Sequence, residues 1–371
     1  MTARAGSGAD APAPTDVVLL GVGAIGRELL AQLSRAPAGR AARLRVCALV
    51  DRSGFVFEPG GLSRRRLAAL RALKRDGKPL ASAPGGFAAG AAEALARIAA
   101  GASSRPVLVD ATAADTTAVL EHALASGCDV VLANKIPLAG AQSAVDRLWD
   151  AARRHGRRVR HEATVGAGLP VIDTLHKLVE SGDRVLRIEG CPSGTLGYLF
   201  GELGRGASFS SALRDAMSLG YTEPDPRDDL SGTDVARKAL ILARLIGFRG
   251  DLSSIAVESL VPEHLRAVPL REFLERTEEL DASWAARVRA AAARGRVLRY
   301  RARVTRRTIR VGIVAVSASD PLGTLSGTDN QFAFTTHRYR RQPLVITGPG
   351  AGAAVTAAGV YGDILSLAAP V

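Results

Sequence analysis

Residues 17–26 read VVLLGVGAIG, and this stretch decides the fold of the first half of the chain. The apolar run 17–20 reads as a buried strand, Gly21, Gly23 and Gly26 follow, and a helical pattern covers 27–34. Strand, then G-x-G-x-x-G, then helix is the context that a dinucleotide-binding fingerprint requires. In that context Gly21 permits the tight turn. Gly23, with Ala24 and Ile25 beside it, lets the backbone approach a pyrophosphate at the helix N-terminus, and Gly26 allows close packing of helix on strand. The next strand, 44–50, ends in Asp51, at about the offset where an acid meets the ribose hydroxyls. Arg52 follows it and can accept a 2′-phosphate, so both NAD and NADP are expected as cofactors.

The alternation of strands and helices resumes further along. Residues 107–109 lead into Asp110-Ala-Thr112, a helix covers 116–126, and the strand 129–133 ends in Asn134-Lys135. In an open parallel sheet the carboxyl ends of the strands face the ligand crevice, which places Thr112 and Lys135 beside a nicotinamide. Thr112 reads equally well as a helix cap. The sequence HEATVGAGLP (161–170) then crosses into a second unit, its Gly-rich turn exposing carbonyls around Glu162. A hard cation takes oxygen ligands of that kind, although a helix lead-in is the simpler reading. A strand at 187–190 opens CPSGTL, where Cys191 is a nucleophile candidate with no histidine base in a nearby segment. Residues 258–289 read as amphipathic helix, and 296–346 as antiparallel strands. The tail GPGAGAAVTAAGV (348–360) is a Gly-rich turn into a helix of small residues. The expected class is α/β: a Rossmann-type parallel-sheet domain plus an α+β substrate and dimerisation domain with a mostly antiparallel sheet. The expected divisions are a disordered tail at 1–15, a dinucleotide domain at 16–160 completed by 348–371, and the second domain at 161–347.

Composition narrows the functions available. A chain of 371 residues is long enough for two or three domains. The first 15 residues contain no continuous apolar core of a signal peptide, and no run of 18 or more apolar residues follows, so no membrane span is expected. Cys47, Cys128 and Cys191 are odd in number and widely separated, which argues for a reducing compartment, with cytoplasm the default. The net charge of +13 raises nucleic-acid binding, but aromatics are only 4% and the arginines are spread over the whole chain. Arginine-rich composition bias and a surface that attracts phosphorylated ligands account for the charge, and no nucleic-acid partner is expected.

Residues 220–244, GYTEPDPRDDLSGTDVARKALILAR, hold the densest chemistry. An acidic, Pro-punctuated loop carries Glu223, Asp225, Asp228 and Asp229, and leads to a helix capped by Ser231 or Thr233. Asp234 and Lys238, four residues apart, share one face of that helix. The bland reading is a solvated ion pair. Against it stands the scarcity of lysine: the chain has only Lys74, Lys78, Lys135, Lys177 and Lys238, and writes arginine elsewhere. Arginine cannot give up its proton in a protein, whereas a partly buried lysine can serve as acid or base. Lys74 and Lys78, in RALKRDGKP (71–79), read as surface charges; Lys135 and Lys238 sit inside motifs.

Taken together, Gly21-x-Gly23-x-x-Gly26, Ala133-Asn134-Lys135, HEATVGAGLP, Ser193-Gly194-Thr195-Leu196, residues 220–238 and GPGAGAAVTAAGV closely resemble the homoserine dehydrogenase family, in its short monofunctional form without kinase or regulatory module. The resemblance implies reversible reduction of L-aspartate 4-semialdehyde to L-homoserine with NAD(P)H, on the threonine, methionine and isoleucine route. It implies that Glu223 and Asp234 hold the substrate, chiefly through its ammonium, with Asp229 shaping the pocket. Lys238 would donate the proton, and Lys135 would be the second functional lysine. Thr112, Gly220 and Gly352 would contact cofactor. Glu162 with the carbonyls of Val165, Ala167 and Leu169 resembles a monovalent-cation site for sodium or potassium, and a homodimer paired through the second sheet is implied. The sequence departs from the family at Cys191-Pro192, away from the expected chemistry. Two rivals stand beside this reading: a Cys191-dependent semialdehyde dehydrogenase using phosphate, and a non-catalytic dinucleotide-sensing or nucleic-acid-binding protein.

Overall fold

The computed structural model describes residues 14–37, 44–101 and 106–368. Residues 1–13 of the expected tail lie outside this set, and Thr15 already belongs to the first strand. The first sheet comprises β1 (Thr15–Leu20), β2 (Leu44–Asp51), β3 (Gly54–Phe57), β4 (Gly86–Phe87), β5 (Val107–Asp110), β6 (Asp129–Leu132) and β7 (Val159–Arg160), in the order β4-β3-β2-β1-β5-β6-β7. β2, β1, β5, β6 and β7 are parallel, and β3 and β4 extend the edge antiparallel. Val17 and Leu19 enter one apolar cluster while Val18 and Leu20 enter another. Both faces of β1 are covered, so its sequence is a continuous apolar run rather than an alternation.

The turn after β1 behaves as its glycines require. Gly21 has φ +94°, and a Cβ at Gly26 would stand 2.2 Å from the Gly21 carbonyl oxygen. A Cβ at Gly23 would meet nothing within 4 Å. That space lies at the N-terminus of the helix Ala24–Arg35, which is where an anion is favoured. The C-terminal helix Ala353–Ala368 packs on this same helix, and Gln32 Nε2 donates to the Ala354 carbonyl at 2.8 Å. The chain's last segment therefore returns to the first sheet.

The second sheet comprises β8 (Val185–Cys191), β9 (Ala256–Val257), β10 (Arg296–Val304), β11 (Ile309–Ser317), β12 (Asp329–Thr336) and β13 (Leu344–Pro349), in the order β13-β12-β8-β10-β11-β9. Every pairing is antiparallel except β9 with β11. One face is packed by helices, with Tyr300 meeting Phe200, which in turn meets Trp284. The alternate residues of β8 and β10 put an Arg187–Glu189–Arg301 ion-pair chain on the other face. The helix expected over 258–289 is broken into Leu270–Arg276 and Asp281–Ala292, with Pro262 and Pro269 each preceding a helical turn because proline fits a helix start and not its interior.

Two buried groups tie the units together. Glu162 accepts at 2.7 and 2.8 Å from the backbone N–H groups of Ile172 and Asp173, the first turn of the helix Val171–Glu180, while its own N–H donates to Asp363. His161, 2% exposed, lies beside Trp149 and His176. Burial, with a contribution from His176, pushes its pKa down to about 3.

The folded state thus keeps His161 neutral while the unfolded chain protonates it near its ordinary value, so its contribution is present above about pH 6.5 and is lost as pH falls from there toward 3. By pH 5 that loss is about 2 kcal/mol. Replacing His161 with Phe should flatten the Tm-against-pH curve between pH 6.5 and 4.5 in differential scanning fluorimetry. An unchanged slope would mean that His161 is not held neutral.

Candidate active site

The cleft lies where the carboxyl ends of β5 and β6 face the second unit. Asp110, fully buried at the end of β5, accepts from the Thr112 N–H (2.9 Å), the Thr112 hydroxyl (2.7 Å), the Thr116 hydroxyl and Asn134 Nδ2 (3.0 Å). Asn134 also donates to the Ala114 carbonyl at 2.7 Å and accepts from the Ile136 N–H at 3.0 Å. These bonds lock the two strand ends together and fix the direction in which Lys135 leaves the sheet. Thr112 is therefore held by Asp110 rather than capping a helix, and the side chains of Asp110 and Asn134, which the sequence reading passed over, do the holding.

The other wall is the helix Thr233–Leu245. It is not capped by Ser231 or Thr233 as expected: the cap is Gly232, with φ +74° and no side-chain hydrogen bond. A Cβ at Gly232 would stand 1.9 Å from the Tyr300 hydroxyl, so close approach to the second sheet as well as a left-handed backbone demands glycine here. Ser231 instead accepts from the Thr233 N–H and donates to the Asp228 carbonyl.

From these two walls three charged side chains converge. Lys135 Nζ lies 2.7 Å from Asp234 Oδ1, and Lys238 Nζ lies 2.9 Å from Asp234 Oδ2. Burial alone would push the Asp234 carboxyl up, but the charges and hydrogen bonds of Lys238 and Lys135 outweigh it and hold the group well below the usual carboxylate range. Lys238 also donates to the Pro192 carbonyl at 2.7 Å. The Cys191-Pro192 segment, set aside as remote from the chemistry, therefore positions the lysine through its backbone.

The cleft around this trio has a volume of about 790 Å³ and is lined, among others, by Ile25, Lys135, Ala167, Gly220, Glu223, Asp229, Asp234, Lys238 and Gly352. Asp229 accepts from the Glu223 N–H at 2.8 Å and lies 2.9 Å from the Thr195 hydroxyl, which reaches the Tyr221 carbonyl at 2.6 Å. Asp229 thereby folds the acidic loop and leaves the exposed Glu223 carboxylate facing the cleft. Burial, and next the negative charges of Glu223 and Asp234, push the Asp229 carboxyl up, against the bonds it accepts. Sequence reasoning did not single out Tyr221 or Arg237, both of which line the cleft. Of the four residues of the expected cation turn, Ala167 lines the cleft and Glu162, Val165 and Leu169 do not; Ala167, with φ +57°, is the one non-glycine with positive φ among the described residues. The Leu169 carbonyl accepts from the Val171 N–H. Glu162 and Asp363 are both pushed up to about 7, chiefly by burial.

At the end of β2, Asp51 is fully engaged. Its Oδ1 accepts from the Ser53 N–H (2.8 Å) and hydroxyl (2.6 Å), and its Oδ2 lies 2.7 Å from Lys74 Nζ. Burial opposes ionisation there, but the bonds from Lys74 and Ser53 win and hold Asp51 below the usual range. Lys74 is therefore no mere surface charge, its side chain being 16% exposed. Arg52 beside it is exposed.

The family model described as homoserine dehydrogenase, NAD binding domain, matches residues 21–162, and the homoserine dehydrogenase model matches residues 170–365. The chain belongs to the homoserine dehydrogenase family. It is 36% identical to a homoserine dehydrogenase of Paracoccidioides brasiliensis over 362 residues, covering 94% of this chain and 96% of that one. It is 47% identical over 268 residues to the bifunctional aspartokinase/homoserine dehydrogenase 2 of Zea mays, covering 71% of this chain but only 29% of the maize protein. Among crystal structures, a Candida auris protein of unknown function superposes with a TM-score of 0.85 at 33% identity, covering 96% of this chain and 98% of that one. Membership confirms the α/β class with its parallel dinucleotide sheet and mostly antiparallel second sheet. Cys191 is 3% exposed, its thiol is pushed up to about 12 by burial, and it is absent from the cleft lining.

Cys47 and Cys128 are buried likewise, with their thiols pushed up to about 12 and about 11, chiefly by burial. The native protein should therefore show no fast thiol titre with a disulfide reagent at pH 8, and three thiols after denaturation. A fast-reacting native thiol would reopen the cysteine mechanism.

Proposed function

We propose that this chain catalyses the reversible reduction of L-aspartate 4-semialdehyde to L-homoserine with a reduced nicotinamide dinucleotide. The observation that carries the reading is the Lys135–Asp234–Lys238 cluster, two ammonium groups sharing one carboxylate in a cleft that opens onto the dinucleotide fingerprint. The dinucleotide, when bound, supplies the hydride. Residues 16–160 with the C-terminal helix would hold it, and 161–347 would bind substrate and pair two copies through the second sheet.

Reducing an aldehyde builds negative charge on its oxygen, so a cationic acid placed there stabilises the transition state and then delivers the proton. Lys238 is the candidate. An ammonium has three donors, and Asp234 and Pro192 take two of them, aiming the third. Proton transfer to the alkoxide gives the alcohol and a neutral amine, which solvent reprotonates. Lys135, fixed through β6, stands on the nicotinamide side and adds positive charge to the same region. Asp234 holds both lysines, and Glu223, exposed and free of a basic partner among the described residues, is the acid that supplements it toward the substrate's ammonium.

Lys74 and Arg52 bear on the cofactor. Because Asp51 is already satisfied by Ser53 and Lys74, a 2′-phosphate finds two cations there, and NADPH is the better fit, with NADH accommodated if Lys74 swings away. The turn at Glu162, Val165, Ala167 and Leu169 would hold sodium or potassium: it offers oxygen ligands beside the buried Glu162 and Asp363 carboxyls, and neither carboxyl is in an ion pair among the described residues, although the charge of Arg160 reaches Asp363. Among the described residues no group of three or more His, Cys, Asp or Glu side chains is arranged around a metal, so that cation would rest largely on carbonyl oxygens.

A phosphate-free assay of NADPH oxidation with L-aspartate 4-semialdehyde tests the reaction. Wild type and Cys191→Ala should turn over, and Lys238→Arg should lose at least about 100-fold in kcat. No turnover by the wild type would sink the assignment, and full activity in the arginine variant would sink the proton-donor role. In the same assay Lys74→Met should raise KM for NADPH by about 10–100-fold while leaving that for NADH unchanged or lower; equal effects on both would remove Lys74 from cofactor choice.

A further inference from the structure

The proposed substrate is an α-amino acid, so it brings a carboxylate as well as an ammonium into the cleft. The cleft lining carries Glu223, Asp228, Asp229 and Asp234, and a carboxylate entering among four acids needs a cation of its own. Lys135 and Lys238 are both committed to Asp234. We propose that Arg237 binds the substrate's α-carboxylate; the proposal rests on the homoserine dehydrogenase reading and deepens it.

Three observations converge on this residue. Arg237 is the one arginine in the cleft lining among the described residues. It is half-buried, and no hydrogen bond or ion pair joins its guanidinium to any described residue. An arginine that serves this helix structurally looks different: Arg244, two turns on and 8% exposed, spends its guanidinium on the carbonyls of Leu138, Gly140 and Gly250. Arg237 is thus an uncommitted fork of donors beside the reacting end. Its position supplies the geometry: residues three and four apart on a helix are neighbours, so Asp234, Arg237 and Lys238 share one face. A guanidinium takes a carboxylate through two parallel N–H bonds, which fixes orientation as well as affinity. With the carboxylate on Arg237 and the ammonium toward Glu223, the four-carbon chain has one remaining end, the aldehyde, to present to Lys238. Specificity for a free α-amino acid over its amide or decarboxylated analogue follows, because those analogues leave the guanidinium unpaired.

The test compares L-homoserine with L-homoserine amide as substrates for NADP-dependent oxidation, in wild type, Arg237→Ala and Arg237→Lys. Wild type should prefer homoserine in kcat/KM by about 100-fold, Arg237→Ala by less than about fivefold, and Arg237→Lys should fall between. The loss should appear in KM for homoserine, with Tm and the NADPH dissociation constant, read by nucleotide fluorescence, unchanged. Undiminished discrimination in an active Arg237→Ala enzyme overturns the proposal alone. So does a loss confined to NADPH affinity, which would assign the guanidinium to the cofactor's phosphates. A wild type that oxidises neither compound overturns the activity and the proposal together.

Discussion

One carboxylate holding two ammonium groups is the interaction on which the rest of the cleft depends. Lys135 and Lys238 come from opposite walls, and two positive charges brought this close would repel unless something between them were negative. Asp234 is that charge, and Lys135 reaches it across 99 residues of chain. The arrangement keeps both lysines in place without quenching them, because each ammonium retains donors beyond the one given to Asp234. It also joins the dinucleotide half to the substrate half at the point where a hydride would cross.

The supporting structure can be understood as what such a cluster needs. Asp110 and Asn134 pin the ends of β5 and β6, so Lys135 leaves the sheet in a fixed direction. Gly232, pressed against Tyr300, sets the helix on the second sheet and so sets the height of Asp234, Arg237 and Lys238. Asp229 and Thr195 fold the acidic loop over the opening. These contacts fix where the charged side chains stand, and preorganised charge is what lets an enzyme stabilise a developing oxyanion without reorganising at the moment of reaction.

Much of this was legible in the sequence, and the illegible parts share a cause. The fingerprint glycines, the strand ends at Asp110 and Asn134-Lys135, and the face shared by Asp234 and Lys238 follow from local periodicity and turn chemistry, and all stand where expected. Contacts between segments distant along the chain did not show. Lys74 reads as a surface charge until the fold brings it to Asp51, and Pro192 reads as remote until its carbonyl meets Lys238. The helix cap was misassigned because Ser231 and Thr233 satisfy the usual chemistry, while the packing of Gly232 against Tyr300 decides the backbone. β3, β4 and β9 went unread because elements of two to four residues carry too little strand period to show. Pairing with neighbouring strands is what defines them.

The proposed acid is an amine at position 238, held by Asp234. The most direct measurement replaces that amine with one of altered basicity. Lys238→Cys, treated with 2-bromoethylamine in the native state where the other thiols are buried, carries a thioether amine of lower pKa at the same place. Unmodified Lys238→Cys should be inactive, and the modified enzyme should regain aldehyde reduction with the alkaline limb of its kcat profile moved to lower pH. Regained activity with that limb unmoved, or activity in the unmodified cysteine variant, would contradict the account.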